Sequence, residues 1–171
     1  IAAGQGTGAS LAYSRDGMTW TNSTNIFTIG YNAAWNGNVW VSVGTGTTRL
    51  AYSYDGVSWT LSTSGNSLFT GCYGVAWNGI MWIAVGTGAN YFAYSYDGIN
   101  WIGNGTNNFT TEARDIIWTG DKWIAIGNSA INIAYSYNGT SWFSLPSTSN
   151  LFTTSGIGLS YNHKRRHTLK F

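Results

Sequence analysis

The stretch Ala93–Trp101, AYSYDGINW, is written four times along the chain with small changes. The other copies are AYSRDGMTW at 12–20, AYSYDGVSW at 51–59 and AYSYNGTSW at 134–142. Successive copies begin 39, 42 and 41 residues apart. Self-similarity at this period indicates one supersecondary unit that buries its apolar faces only by packing on its neighbours.

The ten tryptophans follow the same repeat. They occupy only three positions of the unit, and a ring required once per repeat predicts a packing role. The three sets are Trp20, Trp59, Trp101 and Trp142; Trp35, Trp77 and Trp118; and Trp40, Trp82 and Trp123.

Each unit reads as four antiparallel strands without helical periodicity. In the third unit, residues 73–77 and 81–85 flank the hairpin turn Asn78-Gly79, and residues 92–96 precede Asp97-Gly98 and a short strand at 100–102. Asn-Gly is a preferred two-residue hairpin turn because both positions take positive φ. Four short strands per unit, with apolar groups on both faces, predict an all-β fold of the β-propeller type.

The chain of 171 residues is expected to form a single propeller domain. Ile1–Gly4 aligns with Ile83–Gly86, so the chain enters at the second strand of a blade. We therefore predict four blades, with the ring closed by the C-terminal strand joining the N-terminal blade. The alternatives are that the chain is part of a larger propeller, or that two chains together make eight blades. The repeats cover approximately 1–30, 31–72, 73–113 and 114–156, followed by a closing strand at 157–171.

The Ser-x-Asp-Gly-x-x-Trp segments resemble the Asp-box of sialidase-like propellers. The resemblance implies a hairpin between the third and fourth strands, with the Asp bonding turn amides and the Trp plugging the sheet. The residues concerned are Ser14, Asp16 and Trp20; Ser53, Asp55 and Trp59; Ser95, Asp97 and Trp101; and Ser136, Asn138 and Trp142. The whole unit is similar to repeat proteins of giant DNA viruses and phage tails, which implies a propeller on or near a virus particle.

Turn chemistry independently predicts a structural role for these acidic positions. An Asp in a turn accepts hydrogen bonds from backbone amides two residues on, and the Gly after it adopts a conformation that other residues resist. Asn138 makes the same turn, whereas a catalytic carboxylate would not be replaced by an amide. We expect no catalytic residue, cofactor or metal ligand among them.

Composition narrows the partners and the location. Only 8% of residues are charged and the net charge is +2, so the repeats lack an electrostatic footprint for nucleic acid. The sequence has no run of 18 apolar residues, so it predicts no membrane-spanning helix. A polar, uncharged exterior suits a virion or extracellular protein, with other virion or surface proteins, or glycans, as partners and with oligomerisation possible. The lone Cys72 is expected to be a buried, inert thiol.

The remaining carboxylates, Glu112, Asp115 and Asp121, offer little for catalysis. Glycoside hydrolysis needs a carboxylate pair about 5–10 Å apart. Glu112, Arg114 and Asp115 cluster where other repeats are neutral, and a solvated turn with a local ion pair is the simplest interpretation. The tail at 163–171 carries both histidines, His163 and His167, without metal-ligand spacing, and its alternation favours an edge strand over a basic binding cluster.

The hypothesis that fits these patterns is a non-enzymatic structural or recognition module that binds protein or glycan partners through its loops. A lectin with repeated shallow sites is the alternative from a different class, and a sialidase-like glycoside hydrolase is a further one. The candidate ligand contacts are Tyr31, Tyr73, Tyr91, Glu112 and Arg114.

Overall fold

The computed structural model describes residues 1–106, 109, 111–128, 132–145, 151–152 and 156–162. These residues form an all-β structure of four successive antiparallel sheets with one short helix. Blade 1 has β1 (Ala2–Ala3), β2 (Leu11–Tyr13) and β3 (Thr21–Asn22); blade 2 has β4 (Ile29–Trp35), β5 (Trp40–Thr45), β6 (Leu50–Ser53) and β7 (Thr60–Leu61). After α1 (Thr63–Leu68), blade 3 has β8 (Gly71–Trp77), β9 (Trp82–Thr87), β10 (Phe92–Ser95) and β11 (Ile102–Gly103). Blade 4 has β12 (Glu112–Trp118), β13 (Trp123–Asn128), β14 (Ile133–Ser136) and β15 (Phe143–Ser144).

Each sheet pairs its strands in chain order, as the propeller prediction requires. Among the described residues, blade 1 has three strands where the others have four, and β1 aligns with the second strands of the other blades. The first strands of blades 2, 3 and 4 begin about two residues before the repeat boundaries assigned from the sequence.

The closing strand was expected at 157–171. Its described part, residues 157–162, carries no strand assignment, and residues 163–171, with the predicted edge strand and the basic cluster, lie outside the described residues. Ring closure within one chain therefore stays a prediction.

The helix α1 was missed by the sequence analysis, which expected strands throughout. Ser62 caps it, since its Oγ accepts a hydrogen bond from the Gly65 amide at 3.1 Å. The same hydroxyl donates to the Ile99 carbonyl of the next blade at 2.7 Å. A helix of six residues is too short to show a periodic pattern, so only its cap could have signalled it.

The core lies between blades and is built from two kinds of blade face. We call the face with the turn glycine and Trp of the repeated motif the box face, and the face with the aliphatic residues of strands two and three the aliphatic face. The aliphatic face of blade 2 (Val41, Val43 and Leu50) packs in one cluster with Trp82, Ala84, Ala93 and Trp101 of blade 3. Likewise, Ile83, Val85 and Phe92 of blade 3 pack with Ala113, Trp123, Ala125 and Ala134 of blade 4.

Most tryptophans behave as the sequence predicted. Trp82 and Trp123 are fully buried, and Trp59 and Trp101 are nearly so. Trp20 and Trp35 are the exceptions, with 49% and 40% of their surface exposed. Trp20 is exposed because, among the described residues, no blade packs on the box face of blade 1. Cys72 is fully buried as expected, and burial raises the pKa of its thiol far above the ordinary value.

The Ser-x-Asp-Gly turns form as their chemistry predicts. In blade 3, Asp97 Oδ1 accepts hydrogen bonds from the Ile99 and Asn100 amides, each at 2.8 Å. Gly98 has φ +77°, and its carbonyl accepts a hydrogen bond from Trp101 Nε1 at 3.2 Å. Asn138 accepts the equivalent pair of amide bonds at 3.0 and 2.8 Å, so the neutral amide replaces the carboxylate in the same geometry.

Candidate functional site: an axial cavity

The first strand of each four-stranded blade carries a β-bulge at the same repeat position. The ladder register shifts between Gly30 and Asn32, between Cys72 and Gly74, and between Ala113 and Asp115. The bulged residues are thus Tyr31, Tyr73 and Arg114. A bulge leaves one residue outside the ladder and redirects its side chain, which is why bulges concentrate beside functional sites.

These three bulged side chains line one cavity of about 280 Å³, which we call the axial cavity. Its lining is completed by Asn32, Asp115 and Ile157. Ile157 lies four residues before Tyr161, as Tyr31 lies four before Trp35, so it holds the same repeat position. One side chain from each of four successive first-strand positions therefore faces the same space.

The placement of Ile157 rests on a contact that the repeat reproduces. The Gly156 amide donates to the Gly127 carbonyl at 3.2 Å, just as the Gly30 amide donates to the Gly4 carbonyl at 2.8 Å. A Cβ on Gly156 would clash with Ile126, and one on Gly30 would press on Ala3, at the matching position. Gly156 thus contacts blade 4 in the same way as Gly30 contacts blade 1.

The aromatic wall of the cavity is a contact between two blades. The rings of Tyr31 and Tyr73 meet edge to face, with their centroids 5.1 Å apart. The Arg114 guanidinium lies over the Tyr73 ring, with Cζ 4.6 Å from the centroid. Both arrangements are favourable for aromatic pairs and for a cation over a ring.

A carboxylate holds the cation in place. Arg114 Nε donates to Glu112 Oε1 at 2.7 Å, and the two side chains are 35% and 14% exposed. An Arg side chain carries five N–H donors, and this bond uses only the Nε–H. Burial raises the pKa of Tyr73 above its usual value and the nearby Glu112 raises it further, so this phenol stays a neutral donor.

Asp115 serves the backbone. Its Oδ1 accepts a hydrogen bond from the Ile116 amide and its Oδ2 from the Leu159 amide, both at 2.8 Å. Burial raises the pKa of this carboxyl group above its usual value, and the two amide bonds oppose that rise. Asp115 therefore fastens the segment after residue 156 to blade 4.

The structure brings together most of the predicted ligand contacts. Tyr31, Tyr73 and Arg114 line the axial cavity, and Glu112 braces Arg114. Tyr91 lies elsewhere, packed against the apolar cluster between blades 3 and 4.

The expected solvated turn at Glu112, Arg114 and Asp115 was wrong, since these residues lie on β12 and are partly buried, although the ion pair is present. Asn32, Asp115 and Ile157 were missed as lining residues. Alignment of the first-strand positions across repeats could have found them.

A second recurring feature lies beside the Ser-x-Asp-Gly turns, where each blade except the first carries two tyrosines with the rings edge to face. The outer ring of each pair is 62–64% exposed, and the ring centroids are 5.7–6.1 Å apart. The pairs are Tyr52 with Tyr54, Tyr94 with Tyr96, and Tyr135 with Tyr137. The turn itself does not require the outer ring, because Arg15 replaces it in blade 1 with the same hydrogen bonds around Asp16.

Two further properties concern the described part of the chain. It contains no group of three or more His, Cys, Asp or Glu side chains placed to hold a metal ion. None of its helices has the length and apolar character needed to span a membrane.

Comparison with known proteins bears on the fold. The chain matches no family model, and no curated protein resembles it significantly. It is similar to the crystal structure of the GH74 enzyme of Niastella koreensis, with a TM-score of 0.54 and 24% identity over 79% of this chain. The match covers 21% of that enzyme, so this chain spans about a fifth of its length. The likeness concerns the fold alone, and with the four sheets it identifies an all-β architecture of the β-propeller type.

Proposed function

We propose that this chain is a non-enzymatic recognition module, displayed on a virus particle or otherwise outside the cell, that binds its partner at the axial cavity. The observation that carries the proposal is the convergence of the bulged residues Tyr31, Tyr73 and Arg114 on one cavity. Ligand pockets characteristically combine apolar and aromatic side chains with a few convergent polar groups. The proposal puts the binding surface on the inner strands, whereas the sequence pattern favoured the loops.

The chemistry of the cavity suits a polar group with a flat or apolar face, such as a sugar unit or a polar side chain of a surface protein. The Tyr31 and Tyr73 rings offer stacking surfaces, and their hydroxyl groups and the Arg114 guanidinium offer hydrogen-bond donors. Tyr and Arg are the residue types that most often dominate binding energy at recognition sites.

The state of the carboxylates supports a non-enzymatic role. Glu112 is paired with Arg114, both oxygens of Asp115 accept backbone amides, and Asp121 accepts bonds from Lys122 and Thr119. Each carboxylate outside the turns is therefore held by a structural partner. Hydrolysis of a fluorogenic glycoside that disappears in Glu112→Gln would overturn this part of the proposal.

The test is binding to glycan and peptide arrays by the wild type and by axial variants. We expect Tyr31→Ala and Arg114→Gln each to weaken binding at least tenfold. Tyr54→Ala is the control, because Tyr54 is also an exposed tyrosine, 62% against 42% for Tyr31, and it does not line the cavity. Equal loss in the control and the axial variants would contradict an axial site.

The exposed tyrosine pairs favour a second candidate function, a lectin with repeated shallow sites. Three similar platforms on one chain would raise avidity without any strong single site. In that case the triple variant Tyr54→Ala, Tyr96→Ala, Tyr137→Ala would abolish glycan-array binding, whereas Tyr31→Ala would leave it unchanged. The same arrays thus separate the two candidates.

A further inference from the structure

The guanidinium group of Arg114 is held in one orientation at the axial cavity. Its Nε donates to Glu112 Oε1 at 2.7 Å, and its Cζ lies 4.6 Å from the centroid of the Tyr73 ring. These two contacts restrict the rotation of the group before any ligand arrives. A preoriented group loses less conformational freedom on binding, so more of the interaction energy appears as affinity.

The far end of the same guanidinium is unused. Within the described part of the chain, the terminal nitrogens Nη1 and Nη2 of Arg114 have no hydrogen-bond acceptor. The Arg114 side chain is 35% exposed and lines the axial cavity. The N–H donors of Nη1 and Nη2 are therefore available to a ligand in that cavity.

The described lining of the cavity offers more donors than acceptors. Arg114 contributes its free N–H groups, and Tyr31 and Tyr73 contribute hydroxyl groups. Asp115 also lines the cavity, but each of its oxygens already accepts a backbone amide. The amide oxygen of Asn32 is the remaining side-chain acceptor in this lining. A ligand group that brings acceptor oxygens and no donors fits this balance.

The charges around the cavity favour a single negative charge on that ligand group. Glu112 lies behind Arg114, is 14% exposed and does not line the cavity, whereas the Asp115 carboxylate does. A carboxylate carries one charge and two coplanar oxygens, which match the paired N–H donors at the end of a guanidinium. A phosphate dianion would bring a second negative charge, which Asp115 would repel.

We propose that the axial cavity binds the carboxylate of a Glu or Asp side chain on a partner protein, an inference that rests on the proposed function because it concerns the same cavity. Nη1 and Nη2 of Arg114 hold the two carboxylate oxygens. Tyr31 and Ile157 offer apolar surface to the methylene groups of that side chain. A polypeptide is favoured over an acidic sugar, because the hydroxyl groups of a sugar ring would need acceptors that this lining does not supply.

NMR titration with two probes of the same shape tests the charge of the ligand group. The probes are N-acetyl-glutamate N-methylamide and the corresponding glutamine compound. The wild type should bind the glutamate probe about tenfold more tightly, because only a carboxylate makes two charge-assisted bonds to the guanidinium. The amide and arginine Nε signals report both the binding and the integrity of the fold.

Substitutions of arginine test the assigned residue. In Arg114→Gln the two probes should bind equally weakly. Arg114→Lys keeps a positive charge beside Glu112 but lacks the planar pair of donors, so the preference for glutamate should fall there as well. The matched control is Arg15→Gln, which removes an exposed arginine that does not line the cavity and should keep the full preference.

The outcomes separate this proposal from the proposed function. Equal affinity of the wild type for the two probes, or no binding of the glutamate probe, overturns the carboxylate. A preference that persists in Arg114→Gln, or disappears in Arg15→Gln, overturns the role of Arg114. Tighter binding of methyl β-glucuronide than of the glutamate probe overturns the choice of a polypeptide. Failure of the proposed function has a different sign, which is array binding that Tyr31→Ala leaves unchanged.

Discussion

At the scale of single residues, the Ser-x-Asp-Gly turns keep the same hydrogen bonds whether the acceptor side chain is charged or neutral. Asp97 and Asn138 accept the same two amide bonds, so the turn depends on an acceptor oxygen and not on the charge. Burial alone would raise the pKa of Asp97, but hydrogen bonds from the Asn100 backbone and side chain, from the Ile99 amide and from Ser95 lower it to about 2. Backbone hydrogen bonds likewise lower the pKa of Asp16 and Asp55.

Because these pKa values are lowered, the stability of the fold depends on pH in the acid range. A carboxyl group with a depressed pKa in the folded state stabilises the fold above its unfolded pKa, near 3.8, and loses that contribution as pH falls through the folded pKa. We expect the free energy of unfolding to fall between about pH 4 and pH 2. Asp97→Asn should make this fall shallower, and Asn138→Asp should make it steeper.

Urea unfolding followed by tryptophan fluorescence at pH 7, 4, 3 and 2 measures both variants. Asp115 acts with the opposite sign, because its raised pKa favours the folded state as the group protonates. A pH dependence that is the same in the wild type, Asp97→Asn and Asn138→Asp would contradict the prediction.

At the scale of elements, the bulged first strands determine how closely the blades approach. Gly74 follows the bulged Tyr73, and a Cβ there would lie 3.1 Å from the Asp115 Cα and 3.3 Å from the Arg114 carbonyl of the next blade. Gly158 holds the same repeat position after Ile157, yet the nearest atom to its Cβ would be Asp115 Oδ2 at 3.9 Å.

The two glycines therefore give a matched pair of substitutions. Gly74→Ala should destabilise the fold by about 1–3 kcal/mol, because the neighbouring backbone must move. Gly158→Ala should change stability by less than about 0.5 kcal/mol. The measurement is urea unfolding at pH 7, and equal costs at the two positions would show that the first strands do not touch as described.

The strands and turns also show which features of the fold can be predicted from the sequence. Asn78-Gly79 and Asp97-Gly98 identify the hairpins of blade 3, because their turn types need particular residues. The bulge at Tyr73 could not be predicted, since an extra unpaired residue leaves no mark in a strand that is apolar on both faces. Tyr31, Tyr73 and Tyr91 are the tyrosines that the full repeat explains least, and Arg114 is charged where other repeats are neutral. The same criterion therefore selects Tyr91, which packs against a core cluster.

At the scale of the whole molecule, burial depends on whether a neighbouring blade is present. Trp101 and Trp20 hold the same position in the unit, but Trp101 is 5% exposed and Trp20 is 49% exposed. Repetition in the sequence predicted equal roles for the two rings. It could not distinguish them, because their difference arises only from what packs on each blade.

Substitution of these two rings measures that difference. At concentrations below any association, Trp101→Ala should destabilise the fold by about 3–5 kcal/mol. Trp20→Ala should cost about 1 kcal/mol, as an exposed ring loses few contacts. Urea unfolding of both variants under the same conditions is the check. Equal costs would show that Trp20 is covered within a single chain, as ring closure would require.

In each first strand, the bulged residue takes no part in the hydrogen-bonded ladder with the second strand, and its side chain faces the axial cavity. Positions 31, 73 and 114 lie outside the ladders, so an exchange of side chain there breaks no interstrand pair. The same bulged position holds tyrosine in blades 2 and 3 and arginine in blade 4, with the same backbone geometry. The inner surface can therefore diversify, in evolution or in a selected library, while the scaffold around it stays constant.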